Sequence, residues 1–112
     1  MTYKAHIYYK DICICTVTYV ESAECEFEYI FEPKYDVIDS LSGFKGIQGI
    51  DLDLRKDKYI RRNMIPTFIF EHNPMSGKKS FHKAERVNGK CLLEYLSYSN
   101  LRYFGDNLSI KP

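Results

Sequence analysis

The chain has no tryptophan, no surplus of charge of either sign and no apolar run near the roughly 20 residues needed to cross a bilayer. Sixteen Lys and Arg against fifteen Asp and Glu leave a net charge of +1, so no wholesale attraction to nucleic acid or anionic lipid is expected. Met1-Thr-Tyr-Lys-Ala-His6 lacks the charged start and apolar centre of a signal peptide, so a cytoplasmic protein that does not enter the membrane is expected. Cys13, Cys15, Cys25 and Cys91 form no Cys-x-x-Cys pair, and His6, His72 and His82 are scattered. No metal site is therefore expected. A reducing cytosol and strand-like settings favour free, buried thiols over disulfides, with Cys13 and Cys15 on one face of a strand. No Gly-x-Ser-x-Gly elbow occurs. Gly77-Lys78-Lys79-Ser80 resembles the end of a phosphate-binding loop, but His72 stands where that loop needs a glycine. No catalytic residue and no cofactor are assigned.

What is present suits one domain spanning residues 1–112: 45% hydrophobic and 28% charged residues, with ten Tyr and seven Phe. Tyr3, Ala5, Ile7 and Tyr9 alternate with Lys4, His6 and Tyr8, as on a half-buried strand. Lys10-Asp11 suits a tight turn into a second strand, Ile12 to Val20, rich in β-branched residues. A third strand over Glu24 to Phe31 turns Cys25, Phe27, Tyr29 and Phe31 inward and Glu24, Glu26 and Glu28 to solvent. The three make an antiparallel meander.

Pro33 ends the third strand, and a helical turn is expected around Tyr35 to Ile38. Alternation resumes over Ile47 to Leu54, with Ile50, Leu52 and Leu54 opposite Asp51 and Asp53, which predicts a fourth strand. Pro66 suits the first position of a short helix to about Asn73 that places Phe68, Ile69 and His72 on one side and Phe70 off it. A helical turn from Ser80 through Val87, a helix over Lys90 to Ser97 burying Leu92, Leu93 and Leu96, and a last strand over Leu108 to Lys111 complete the chain. The fold class is α+β: a small antiparallel sheet followed by short helices.

Two features stand above this background. Residues Arg55 to Arg62 hold five basic residues and one acidic residue. They read either as a solvated connection or as a contact to an acidic protein surface or phosphate, in which Arg forms paired hydrogen bonds. Phe68, Phe70 and Met75 flank an Asn73-Pro74 turn. They read either as core or as the aromatic and Met anchors found at binding hot spots. The acidic groups Glu24, Glu26 and Glu28, and Asp51 with Asp53, read as solvated faces.

In its order of parts the chain resembles the N-terminal subdomain of HipA-family Ser/Thr kinase toxins, most of all its stand-alone form, the HipS-type antitoxins of tripartite HipBST operons. The resemblance rests on Ala5-His-Ile-Tyr-Tyr-Lys-Asp-Ile-Cys-Ile-Cys-Thr-Val-Thr18 as a strand pair, Phe27-Glu-Tyr-Ile-Phe-Glu-Pro33 as an aromatic strand and Gly49-Ile-Asp-Leu-Asp-Leu54 as a later one. Phe68-Ile-Phe-Glu-His-Asn-Pro74 then matches a helix and turn, and Gly105-Asp-Asn-Leu-Ser-Ile110 a closing strand. Glu71-His72 replaces the family's double leucine, and the closing Gly-Ala step is absent. The resemblance implies a non-enzymatic antitoxin that binds and neutralises a separate HipA-like kinase, HipT, with a helix-turn-helix HipB-like protein completing the complex. It also implies no direct contact with nucleic acid. The kinase contact is then expected at Arg55, Lys58, Arg61, Arg62, Phe68, Phe70, His72, Asn73, Pro74 and Met75. The rival expectation is a small nucleic-acid-binding β-domain using Arg55–Arg62, with tyrosines as stacking platforms.

Overall fold

Strands in this chain come from two-residue alternation, and the computed structural model shows which alternating stretches pair. It describes residues 1–22, 26–71, 86–87, 90–99 and 107–112. In chain order these contain β1 (Thr2–Tyr9), β2 (Ile12–Glu21), β3 (Phe27–Pro33), α1 (Tyr35–Ile38), a 3-10 turn (Leu52–Leu54) and β4 (Tyr59–Arg62). There follow α2 (Thr67–Glu71), β5 (Arg86–Val87), β6 (Lys90–Cys91), α3 (Leu92–Ser99) and β7 (Leu108–Lys111). One five-stranded sheet runs β4-β3-β2-β1-β7, every neighbouring pair antiparallel, while β5 and β6 pair separately. The fold is a small α+β fold, as the sequence predicts, and β1–β2–β3 form the expected meander.

Each strand turns one set of side chains into a common core. Ala5, Ile7 and Tyr9 of β1, Val17 and Tyr19 of β2, Phe27, Tyr29 and Phe31 of β3, Tyr59 of β4, and Leu108 and Ile110 of β7 are all buried. Tyr19, Phe27 and Tyr29 form an aromatic cluster with ring centroids 5.2 to 5.9 Å apart, at the tilted and edge-on angles that aromatic rings favour. Leu92, Leu93 and Leu96 of α3 are buried, and the helix packs against β1 and β7. The Ser97 hydroxyl donates to the Glu94 carbonyl at 2.8 Å. Its own proton thus used, Ser97 accepts from the Tyr3 hydroxyl at 2.7 Å, which fixes α3 to β1.

Several expectations are corrected. Residues 47–54 are not a strand. Gly46 and Gly49 take left-handed backbone (φ 99° and 82°), Ile47 and Ile50 form an isolated bridge, and the chain then coils into the 3-10 turn. The fourth strand is Tyr59–Arg62, inside the basic segment. Val87 is in strand β5 rather than a helix; Ser80–Glu85 lie outside the described residues. Arg86 pairs with Cys91 and Val87 with Lys90; Asn88 and Gly89 lie outside the described residues. The third helix therefore begins at Leu92 instead of Lys90. Finally, Cys13 and Cys15 do not share a face. Ile7 pairs with Cys15 but Tyr8 with Cys13, so Ile14 is an extra residue, a bulge whose carbonyl accepts from Lys34 N–H at 2.8 Å. The third strand also starts at Phe27, with Glu26 exposed before it; Glu24 and Cys25 lie outside the described residues.

Two stability measurements check this packing. Phe27→Ala and Tyr29→Ala should each cost about 3–5 kcal/mol in denaturant unfolding, because both rings are almost fully buried beside one another. Gly49→Ala should destabilise by about 1 kcal/mol or more. Its φ of +82° disfavours any side chain, and an added Cβ would lie 2.8 Å from Thr67 Cβ. An unfolding curve for Gly49→Ala that overlays the parent's would contradict this tight approach of the 47–50 turn to α2.

Candidate protein-binding surface

The basic segment is a loop followed by an edge strand, and one tyrosine joins the two. Tyr59 pairs with Phe31 in the ladder, and its ring lies in the core. Its hydroxyl donates to the Asp51 carbonyl at 2.6 Å and accepts from Lys56 N–H at 3.3 Å. The Tyr35 hydroxyl, from α1, donates to the Lys56 carbonyl at 2.6 Å and reaches the Tyr59 oxygen at 3.1 Å. Desolvation, reinforced by that contact with Tyr59, holds the Tyr35 phenol above its ordinary pKa. Asp51 caps the 3-10 turn by accepting from Asp53 N–H at 3.1 Å, and Arg55 closes it in left-handed backbone at φ 53°. Asp51 is thus a turn cap, and Asp51 and Asp53 are not a row on a strand.

The segment's cations divide into two groups. Arg55 grips Asp39 through both terminal nitrogens, at 2.7 and 3.0 Å, and lies over the Tyr35 ring at 4.4 Å from its centroid. The Arg55 hydrogen bonds hold the Asp39 carboxyl below the usual carboxylate range, and Asp39 in turn raises the Arg55 pKa. Both side chains are more than half exposed, so the pair orients the loop more than it stabilises the fold. Arg62 pairs with Glu28, which faces it across the ladder. Arg61 reaches the Gly49 carbonyl at 2.8 Å and the Ile60 carbonyl at 3.2 Å. The Lys56 ammonium lies 5.9 Å from the Tyr59 ring centroid, and Lys58 is exposed. Among the described residues, Lys56, Lys58 and Arg61 have no carboxylate partner.

The chain then leaves the sheet at Asn63. There, in left-handed backbone (φ 53°), the N–H donates to the Phe27 carbonyl at 2.8 Å and the side-chain oxygen accepts from Phe27 N–H at 3.0 Å. These two bonds finish the β3–β4 ladder and aim the chain at α2. Phe68 and Ile69 of α2 are fully buried, whereas Phe70 is 46% exposed, which fits its place off their helix face. Phe68 is therefore corrected from a surface contact to a core residue. His72, Asn73, Pro74 and Met75 lie outside the described residues. Sequence reasoning missed Leu54, Ile60 and Met64, which are exposed large apolar side chains interleaved with the cations. The signal was there: a strand that buries Tyr59 must turn Ile60 the other way.

Burial pushes the Cys15 thiol up to about 12, far from a thiolate at neutral pH. A cleft of about 450 Å³ lined by Tyr9, Gly43, Lys45, Gly46, Ile47, Gln48 and Asn107 offers one cation and no carboxylate or thiol. Tyr59 of the segment and Tyr35 of α1 also make poor stacking platforms, since Arg55 covers a face of Tyr35 and Tyr59 is buried. Comparison with protein-family models, with curated proteins and with solved structures found no match.

The Arg55–Asp39 pair fixes a pH dependence. The folded Asp39 pKa lies below its unfolded value of about 3.9, so its stabilisation is present above about pH 4 and is lost as pH falls through the folded value. Arg55→Gln should raise the Asp39 midpoint toward about 3.9 in a carboxyl NMR titration. The gap in melting temperature between parent and variant should also shrink in acid. An Asp39 midpoint identical in parent and variant would refute the pairing in solution.

Proposed function

We propose that this chain is a non-enzymatic antitoxin that docks on a HipA-like Ser/Thr kinase and holds it inactive by protein–protein contact, with a helix-turn-helix HipB-like protein in the same complex. Its place is the cytoplasm. The family resemblance of the sequence supplies the partner, and the observation that carries the reading is the exposure of Phe70. A phenylalanine 46% open to water on a helix whose neighbouring Phe68 and Ile69 are fully buried is what a partner-facing anchor requires. Leu54, Ile60 and Met64, earlier in the same stretch of chain, are further exposed apolar side chains, and Lys56, Lys58 and Arg61 are cations without carboxylate partners among the described residues. Apolar anchors beside charged groups favour a protein partner, in which the anchors supply affinity and the charges steer approach. The occupied ring faces of Tyr35 and Tyr59 weigh against stacking of nucleic-acid bases.

The test measures stability and kinase affinity on the same purified variants. Phe70→Ala should leave the melting temperature close to the parent's and weaken binding to the kinase by about 1 kcal/mol or more. Phe68→Ala should instead cost about 3–5 kcal/mol of stability, as a fully buried ring does. Undiminished kinase affinity in Phe70→Ala would remove Phe70 from the contact.

A further inference from the structure

β4 is an edge strand, paired on one side with β3. Asn63 N–H bonds the Phe27 carbonyl, and the ladder pairs Arg62 with Glu28, Arg61 with Tyr29, Ile60 with Ile30 and Tyr59 with Phe31. In an antiparallel ladder alternate residues turn their backbone groups toward the neighbour. Tyr59, Arg61 and Asn63 therefore bond β3, and Ile60 and Arg62 direct their N–H and C=O groups out of the sheet. Both residues are exposed. Among the described residues only the Ile60 carbonyl has a partner, the guanidinium of the adjacent Arg61. The opposite edge differs, since Ser109 and Ile110 of β7 are fully buried.

We infer that the outward edge of β4 pairs with an extended, carboxylate-bearing segment of the partner protein. The inference rests on the antitoxin reading for who that partner is. Charge selects the occupant. The edge carries Arg61, with Lys56 and Lys58 on the approach to it, while Arg62 is paired with Glu28; Arg61 lies on the outward Ile60 carbonyl. An incoming strand with acidic side chains draws the Arg61 guanidinium off the Ile60 carbonyl to its own carboxylate, while its backbone takes the Ile60 and Arg62 groups, the geometry of strand addition. A second copy of this chain is disfavoured, because two β4 edges side by side set Arg and Lys against Arg and Lys.

Amide hydrogen exchange resolved to single residues tests this with two probes: a short acetylated peptide alternating Glu and Val, and a HipA-like kinase lacking its own N-terminal subdomain. A Lys/Val peptide serves as control. The Glu/Val peptide and the kinase should each slow exchange at Ile60 and Arg62 by about tenfold or more, and the Lys/Val peptide should not. Ile60→Pro and Arg62→Pro delete outward donors that the fold does not use, so both should melt near the parent and lose the effect, whereas Ile60→Ala should keep it. If the proline variants unfold, exchange in the parent alone decides the matter. Protection by the peptide with no kinase binding upholds the edge and ends the kinase reading. Kinase binding that leaves both amides unprotected does the reverse. Exchange unchanged by both probes, or a dimer in sedimentation that itself protects these amides, overturns the inference.

Discussion

A single hydroxyl decides where the loop between β3 and α2 lies. The Tyr59 ring is held among the buried aromatics of the sheet, so its oxygen has one position, and the Asp51 carbonyl, Lys56 N–H and Tyr35 hydroxyl converge on it. Buried polar groups must find partners, and here the need to satisfy a phenol draws a loop of alternating acids and bases against the body of the protein. The 3-10 turn, the left-handed Arg55 that ends it and the Arg55–Asp39 grip all follow from that anchorage. The basic segment keeps its shape because its one inward residue is tied down.

What a reader of the sequence sees, and misses, follows from how many faces of an element are buried. β1, β2 and β3 lie inside the sheet order, so alternation runs over seven residues or more and announces itself; the burial of Phe27, Tyr29 and Phe31 was legible for this reason. β4 spans four residues at an edge, and only Tyr59 is fully buried, so its cations hid its strand character. Residues 47–54 misled in the opposite way. Their alternation is real, but glycines at positive φ bend the chain before it can pair. At the site, the spacing of Phe68, Ile69 and Phe70 told which ring leaves the helix face, yet not that Phe68 would be wholly enclosed.

Charge and apolar exposure are not spread evenly over the surface. Leu54, Ile60, Met64 and Phe70 lie within one stretch of chain that also holds Arg55, Lys56, Lys58, Arg61 and Arg62. A net charge of +1 conceals this, because the balancing acids lie elsewhere in the sequence. Two of them, Asp39 and Glu28, reach back to neutralise part of the segment, and the remaining cations set the sign that an approaching surface meets.

The bulge at Ile14 also has a chemical consequence. Thiols two residues apart on a regular strand would stand side by side, a vicinal pair able to grip one soft metal ion or one arsenical together. By register the extra residue puts Cys13 on the side of Tyr8 and Cys15 on the side of Ile7, and the Cys13 sulfur turns to the Cys15 carbonyl at 3.9 Å. A thiophilic reagent therefore meets these sulfurs one at a time: a half-buried Cys13, and a Cys15 enclosed by the core. A single inserted backbone unit thus sets the two thiols apart from the side-by-side arrangement that their spacing suggests.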